Sequence, residues 1–95
     1  MLTVRQQIIS LLQEQERNAM ELSQILGIME KEVYGHLEHI ERSLGRQGMK
    51  LTVSPFTCLS CGFIFTGRKR WDRPGRCPVC KLGHIRMASY RIGSP

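Results

Sequence analysis

The sequence has no apolar run approaching the ~20 residues that a membrane-spanning helix requires. Its first residues, Met1 to Gln7, lack the basic flank and apolar stretch of a secretory leader. The expectation is a soluble, cytoplasmic protein. There is no phosphate-cradling glycine loop, no carboxylate pair set for acid–base work and no nucleophile–base set. A chain of 95 residues is also too short for a large cleft beside its core, so an enzyme is not expected. Repeats and low-complexity tracts are lacking as well. Acids are nearly missing from the second half: residues 54–95 hold one, Asp72, against eight Lys/Arg, whereas residues 1–53 hold seven against six. The net charge of +6 therefore divides into −1 and +7. So much positive charge in one segment suits a polyanion, most often nucleic acid. The plainer reading is a solvated, solubilising face.

Four cysteines organise the chain, in two pairs: Cys58-Leu59-Ser60-Cys61 and Cys77-Pro78-Val79-Cys80. Each pair is a short turn that presents two thiolates, and the segment between the pairs lets four sulfurs meet at one tetrahedral ion. Gly62 follows the first pair where the backbone must turn tightly. Two disulfides are the alternative; they persist in oxidising compartments, and nothing here directs the chain to one. Four thiolates make zinc the default metal, with iron as the other candidate. With four protein ligands the site is closed, and so structural rather than catalytic. His36, His39 and His84 are not needed as ligands.

Residues 3–15 read as a helix, with Thr3 and Gln6 as a capping box and Val4, Ile8, Leu11 and Leu12 as its apolar stripe. Asn18 and Glu21 form a second capping box before a short helix at 19–26, which Gly27 ends. A third helix runs from Glu30 to Leu44 or Arg46, with Val33, Leu37, Ile40 and Leu44 facing inward. Its outward face carries Lys31, Tyr34, Gly35, Glu38, His39 and Arg42. The period then changes to two over Met49–Ser54, which reads as a strand that Pro55 ends. Residues 62–66 read as a short strand, and Ile85–Ile92 as a longer one that turns Ala88, Tyr90 and Ile92 inward.

Two short helices, a glycine turn and a third amphipathic helix form the helix-turn-helix layout. The segment from Glu21 to Ile28, followed by Val33-Tyr34-Gly35-His36-Leu37, resembles that motif in bacterial and archaeal winged-helix regulators. A winged helix needs a hairpin after its third helix. Here the economical solution pairs Met49–Ser54 with Ile85–Ile92 and places the cysteine segment at the tip. The expected fold class is α+β: a three-helix winged helix-turn-helix with a rubredoxin-like zinc ribbon inserted in the wing hairpin. Its expected parts are residues 1–54, the ribbon at 55–85, and the returning strand and tail at 86–95. The whole resembles a family of small predicted archaeal and bacterial transcription regulators that fuse these two units. The resemblance rests on the order of elements, on Cys58-x-x-Cys61-Gly62-Phe63-x-Phe65 and on Arg76-Cys77-Pro78-x-Cys80-Lys81. It implies sequence-specific binding to double-stranded DNA and control of transcription.

On that reading the third helix meets base edges in the major groove through Lys31, Tyr34, His39 and Arg42. Arg68, Lys69, Arg70, Arg73 and Arg76 supply phosphate contacts around Trp71, which is expected to pack over the metal core. Four glutamates, Glu30, Glu32, Glu38 and Glu41, run against this, because phosphate repels an acidic helix. A zinc-ribbon adaptor that docks on a transcription-machinery protein is the alternative, and an iron-loaded redox protein a lesser one. By fold analogy alone a homodimer is an option, through the edge of Met49–Ser54 or the first helix.

Overall fold

The computed structural model describes residues 1–68 and 70–94. Helix α1 covers Val4–Glu14. Its first turn is closed reciprocally: the Gln6 N–H donates to Thr3 Oγ1 at 3.2 Å, and the Thr3 N–H donates to Gln6 Oε1 at 2.8 Å. The same box opens helix α2, Ala19–Leu26, where Asn18 and Glu21 exchange bonds of 2.8 and 2.9 Å. Gly27 then takes φ +67°, which ends α2 at little steric cost. Helix α3, Glu30–Leu44, starts at Met29 without a side-chain cap, but Glu30 and Glu32 face its positive end. Gly45 does not end the helical path. The chain continues through a 3₁₀ turn at Gly45–Gln47 and stops at Gly48, φ +68°.

Strand β1 is only Arg17–Asn18; β2 is Lys50–Ser54, β3 Thr57–Cys58, β4 Ile85–Arg86 and β5 Ser89–Gly93. One sheet has the order β1-β5-β2, antiparallel throughout, and a second pairs β3 with β4. Strand β1 has no counterpart in the sequence pattern. Two residues carry no periodicity, and only their partners Tyr90 and Ser89 define them as a strand.

The expected pairing of residues 49–54 with 85–92 is present, with a break. Lys50 pairs with Gly93 and Ser54 with Ser89; farther on, Thr57 pairs with Arg86 and Cys58 with Ile85. The residue numbers of every pair have the same total, so this is one antiparallel ribbon in one register. It is interrupted where Pro55 and Phe56 face Ala88 and Met87. Pro55 has no N–H to donate, and the Phe56 carbonyl instead accepts from the Phe65 N–H at 2.9 Å. Residues 62–66 do not form the expected strand; Ile64 makes a single bridge to Thr57.

Every helix contributes to one core: Ile8 and Leu12 from α1, Ala19 and Leu22 from α2, and Val33, Leu37, Ile40 and Leu44 from α3, all at most 1% exposed. Each Val, Leu or Ile side chain among them stabilises the fold by roughly 1.5–3 kcal/mol. Tyr90 and Ile92 of β5 close this core from the sheet side. Phe56, Cys58, Phe65 and Cys77 extend it without a break into the cysteine segment. Among the described residues, no helix is long and apolar enough to cross a membrane.

Candidate metal centre and basic loop

The two cysteine turns are built alike. In the first, the Gly62 N–H donates to the Cys58 carbonyl at 2.9 Å; in the second, the Lys81 N–H donates to the Cys77 carbonyl at 2.9 Å. Each turn is tied down from outside, Cys58 N–H to the Phe63 carbonyl and Cys77 N–H to the Leu82 carbonyl. The residue after each pair is left-handed: Gly62 at φ +81° and Lys81 at φ +67°. Glycine marks the first turn in the sequence. Nothing marks Lys81, which takes a conformation that side chains resist. Its Nζ caps the turn by donating to the Pro78 carbonyl at 2.9 Å.

All four sulfurs lie within 4.8 Å of one another, with Cys58 and Cys80 3.5 Å apart and Cys61 and Cys77 3.6 Å apart. A disulfide needs about 2.05 Å. Four sulfurs about 2.3 Å from a tetrahedral zinc would stand about 3.8 Å apart. The four cysteines are therefore positioned to hold one metal ion. The protonation chemistry agrees. The Cys61 N–H draws the Cys58 thiol down to about 6. Cys61 goes the other way, to about 12: the Phe63 N–H lowers it, but desolvation and the neighbouring sulfurs raise it more. These sulfurs resist collecting negative charge together unless a cation joins them. His84 stands apart, lending its backbone carbonyl to the Leu59 N–H.

The basic loop between the pairs folds back onto α3. Arg68 donates to the Asp72 carbonyl at 2.8 Å and lies over the Phe56 ring, 5.8 Å from its centroid. Trp71 stacks at a tilt on Tyr90, with centroids 6.1 Å apart. The expectation that Trp71 packs over the metal core is corrected: its ring partner belongs to β5, at the junction with the helices. Arg73 reaches Glu30 with two bonds, Nη2 to Oε1 at 2.8 Å and Nε to Oε2 at 3.3 Å.

Tyr34 corrects another expectation. It does not lie on the outward face of α3 but is buried, 6% exposed, and its hydroxyl donates to Glu30 Oε2 at 2.8 Å. Burial and that carboxylate push its ionisation far up. Lys31 and His39 are exposed on α3, and Arg42 is exposed but paired with Glu38 at 2.8 Å. Arg70 is exposed near Asp72, and Arg76 is exposed beside the second turn. Lys69 lies outside the described residues. The structure thus groups Arg70 and Arg73 with Lys31 at the start of α3 and commits Arg68 to holding the loop. Glu30 and Asp72 organise this loop, whereas the sequence marks them only as charges. The signal was present: an acid-rich helix and an arginine-rich loop in one short chain.

The N-terminal model of the PF0610-like family matches residues 3–52. The solution NMR structure of protein PF0610 from Pyrococcus furiosus is similar to this chain, with a TM-score of 0.82 and 32% identity. The match covers 97% of this chain and 90% of that one. Among curated proteins, none matches.

Proposed function

This chain belongs to the PF0610-like family, whose N-terminal model it matches over residues 3–52, and on that footing we propose that it binds double-stranded DNA and regulates transcription. The observation that carries the reading is the order of elements. Strand β1 sits between α1 and α2 and pairs with β5, and β5 pairs with the strand that follows α3. That order supports reading the chain as a winged helix-turn-helix with the cysteine segment in place of the wing tip. In that geometry α3 enters the major groove, which is about 12 Å wide, while the basic loop meets phosphates.

The acidity of α3 weighs less than its composition suggests. Arg73 and Tyr34 satisfy Glu30, and Arg42 satisfies Glu38. Lys31 and His39 stay exposed for base edges or phosphates. The chemistry of four thiolates favours zinc, whose contribution is to close the ribbon and hold the loop in place. Selection of bound DNA from a random pool, with metal measured on the same sample, tests the reading. An enriched motif with one zinc per chain is expected. A pool without enrichment would contradict it.

A second reading, a protein-docking adaptor, has one observation of its own. Leu59, Val79 and Leu82 on the two cysteine turns are 61%, 63% and 54% exposed. Recovery of a protein partner, together with no gel shift on any DNA at low salt, would favour it.

A further inference from the structure

The contact between the basic loop and α3 occupies the face that the DNA-binding reading assigns to the duplex. Glu30 is the first residue of α3, and Arg73 lies 43 residues away on the basic loop. Their two parallel bonds use the geometry by which guanidinium grips a phosphate. The buried Tyr34 hydroxyl fixes the same carboxylate from the helix side. Trp71 on Tyr90 and Arg68 over Phe56 keep the loop close. As a result Arg70, Trp71 and Arg73 run beside Glu30, Lys31 and Gly35, with an open cleft of about 640 Å³ between them. A helix with its side chains is about 10–12 Å across and already fills a major groove. On the DNA-binding reading, this segment alongside would keep the first turns of α3 from the groove floor.

We propose that the Glu30 carboxylate is an internal stand-in for a nucleic-acid phosphate: it holds Arg73 and the basic loop against α3, and a backbone phosphate displaces it. The structure is then the closed form, and Arg73 is a phosphate-binding residue masked until DNA arrives. This rests on the DNA-binding reading above. The pair is partly exposed, with side chains 45% and 25% accessible, so the exchange is easy; partly exposed pairs are weak.

The test is a double-mutant cycle on the metal-loaded full chain. Glu30→Gln keeps an acceptor for the Tyr34 hydroxyl but removes the charge that binds Arg73. Affinity for a random-sequence duplex is measured at about 50 mM salt for the wild type, Glu30→Gln, Arg73→Ala and the double variant. Solvent exchange of the Arg73 Nε–H is followed by NMR in the same samples. The expected results are an Nε–H protected in the free wild type and exposed in Glu30→Gln, with about fivefold tighter binding by that variant. That gain disappears in the Arg73→Ala background. An Nε–H that stays protected in Glu30→Gln overturns the inference. So does an equal gain with and without Arg73, which would be a general charge effect. Binding by none of the four overturns the DNA reading itself; equal binding by all four overturns the internal competitor alone.

Discussion

Lys81 shows what one residue's backbone can demand. At φ +67° it stands where the first cysteine turn has Gly62. A β-branched side chain fits poorly there, so Lys81→Val should lower stability by about 1–2 kcal/mol, whereas Lys81→Gly should hold it. The thermal midpoint of metal-loaded protein checks both. His36 is a second local case. Its Nδ1 accepts from the Arg5 Nε–H at 3.1 Å, which only the unprotonated nitrogen can do. Burial, then the Arg5 charge and His39, hold its pKa below the ordinary 6.5, against the opposing pull of Glu32. The unfolded chain therefore binds the proton more readily. His36 contributes its stability above pH 6.5 and loses it as pH falls through that value toward the lower folded one. Denaturant midpoints between about pH 7 and 5 should show this slope, and His36→Gln should flatten it. The effect is small, because the group is only partly buried.

At the scale of elements, the helices and the ribbon depend on different forces. Helices α1 to α3 supply most of the large aliphatic side chains of the common core, so Leu12→Ala should cost about 2–5 kcal/mol, read by denaturant unfolding. The ribbon has two-residue strands and little apolar mass. On the proposed reading it relies on an ion held by the four cysteines, for which apparent binding energies on the order of 10–16 kcal/mol are typical of structural zinc. Chelation should therefore keep most of the helical circular dichroism and abolish the near-ultraviolet signal of Trp71, which depends on its contact with Tyr90. Simultaneous loss of both signals would show that the units fold as one.

The same division decides what could be read in advance. Both capping boxes, the stop at Gly27 and the four sulfurs are local patterns, and each stands where its spacing placed it. The end of β2 before Pro55 is likewise local and stands as read, whereas strand β1 and the inward turn of Tyr34 depend on partners distant in sequence. Tyr34 shares the helical period of the exposed positions, yet Glu30 and the returning loop draw it inside. Trp71 departs from expectation for a related reason. Its loop belongs to the ribbon in sequence, whereas its ring packs on β5, which reaches that point only after the ribbon closes.

At the scale of the molecule, charge and connectivity bear on the same conclusion. The body measures 44 × 29 × 21 Å, with the positive charge gathered in its second half. Binding to duplex DNA should weaken with salt along a log–log slope of about 0.9 per phosphate neutralised. Arg70→Ala and Arg76→Ala should each reduce the slope by about that amount, as measured by fluorescence anisotropy. Arg68→Ala should act chiefly through stability, since that side chain braces Asp72 and Phe56.

The most direct measurement is an NMR titration of the zinc-loaded chain with a duplex taken from the selected pool. The account predicts amide shifts concentrated at Lys31, Gly35 and His39 on α3 and at Arg70, Arg73 and Arg76 on the loop. Shifts confined to Leu59, Val79 and Leu82 at the cysteine turns, or no shifts at all, would contradict it.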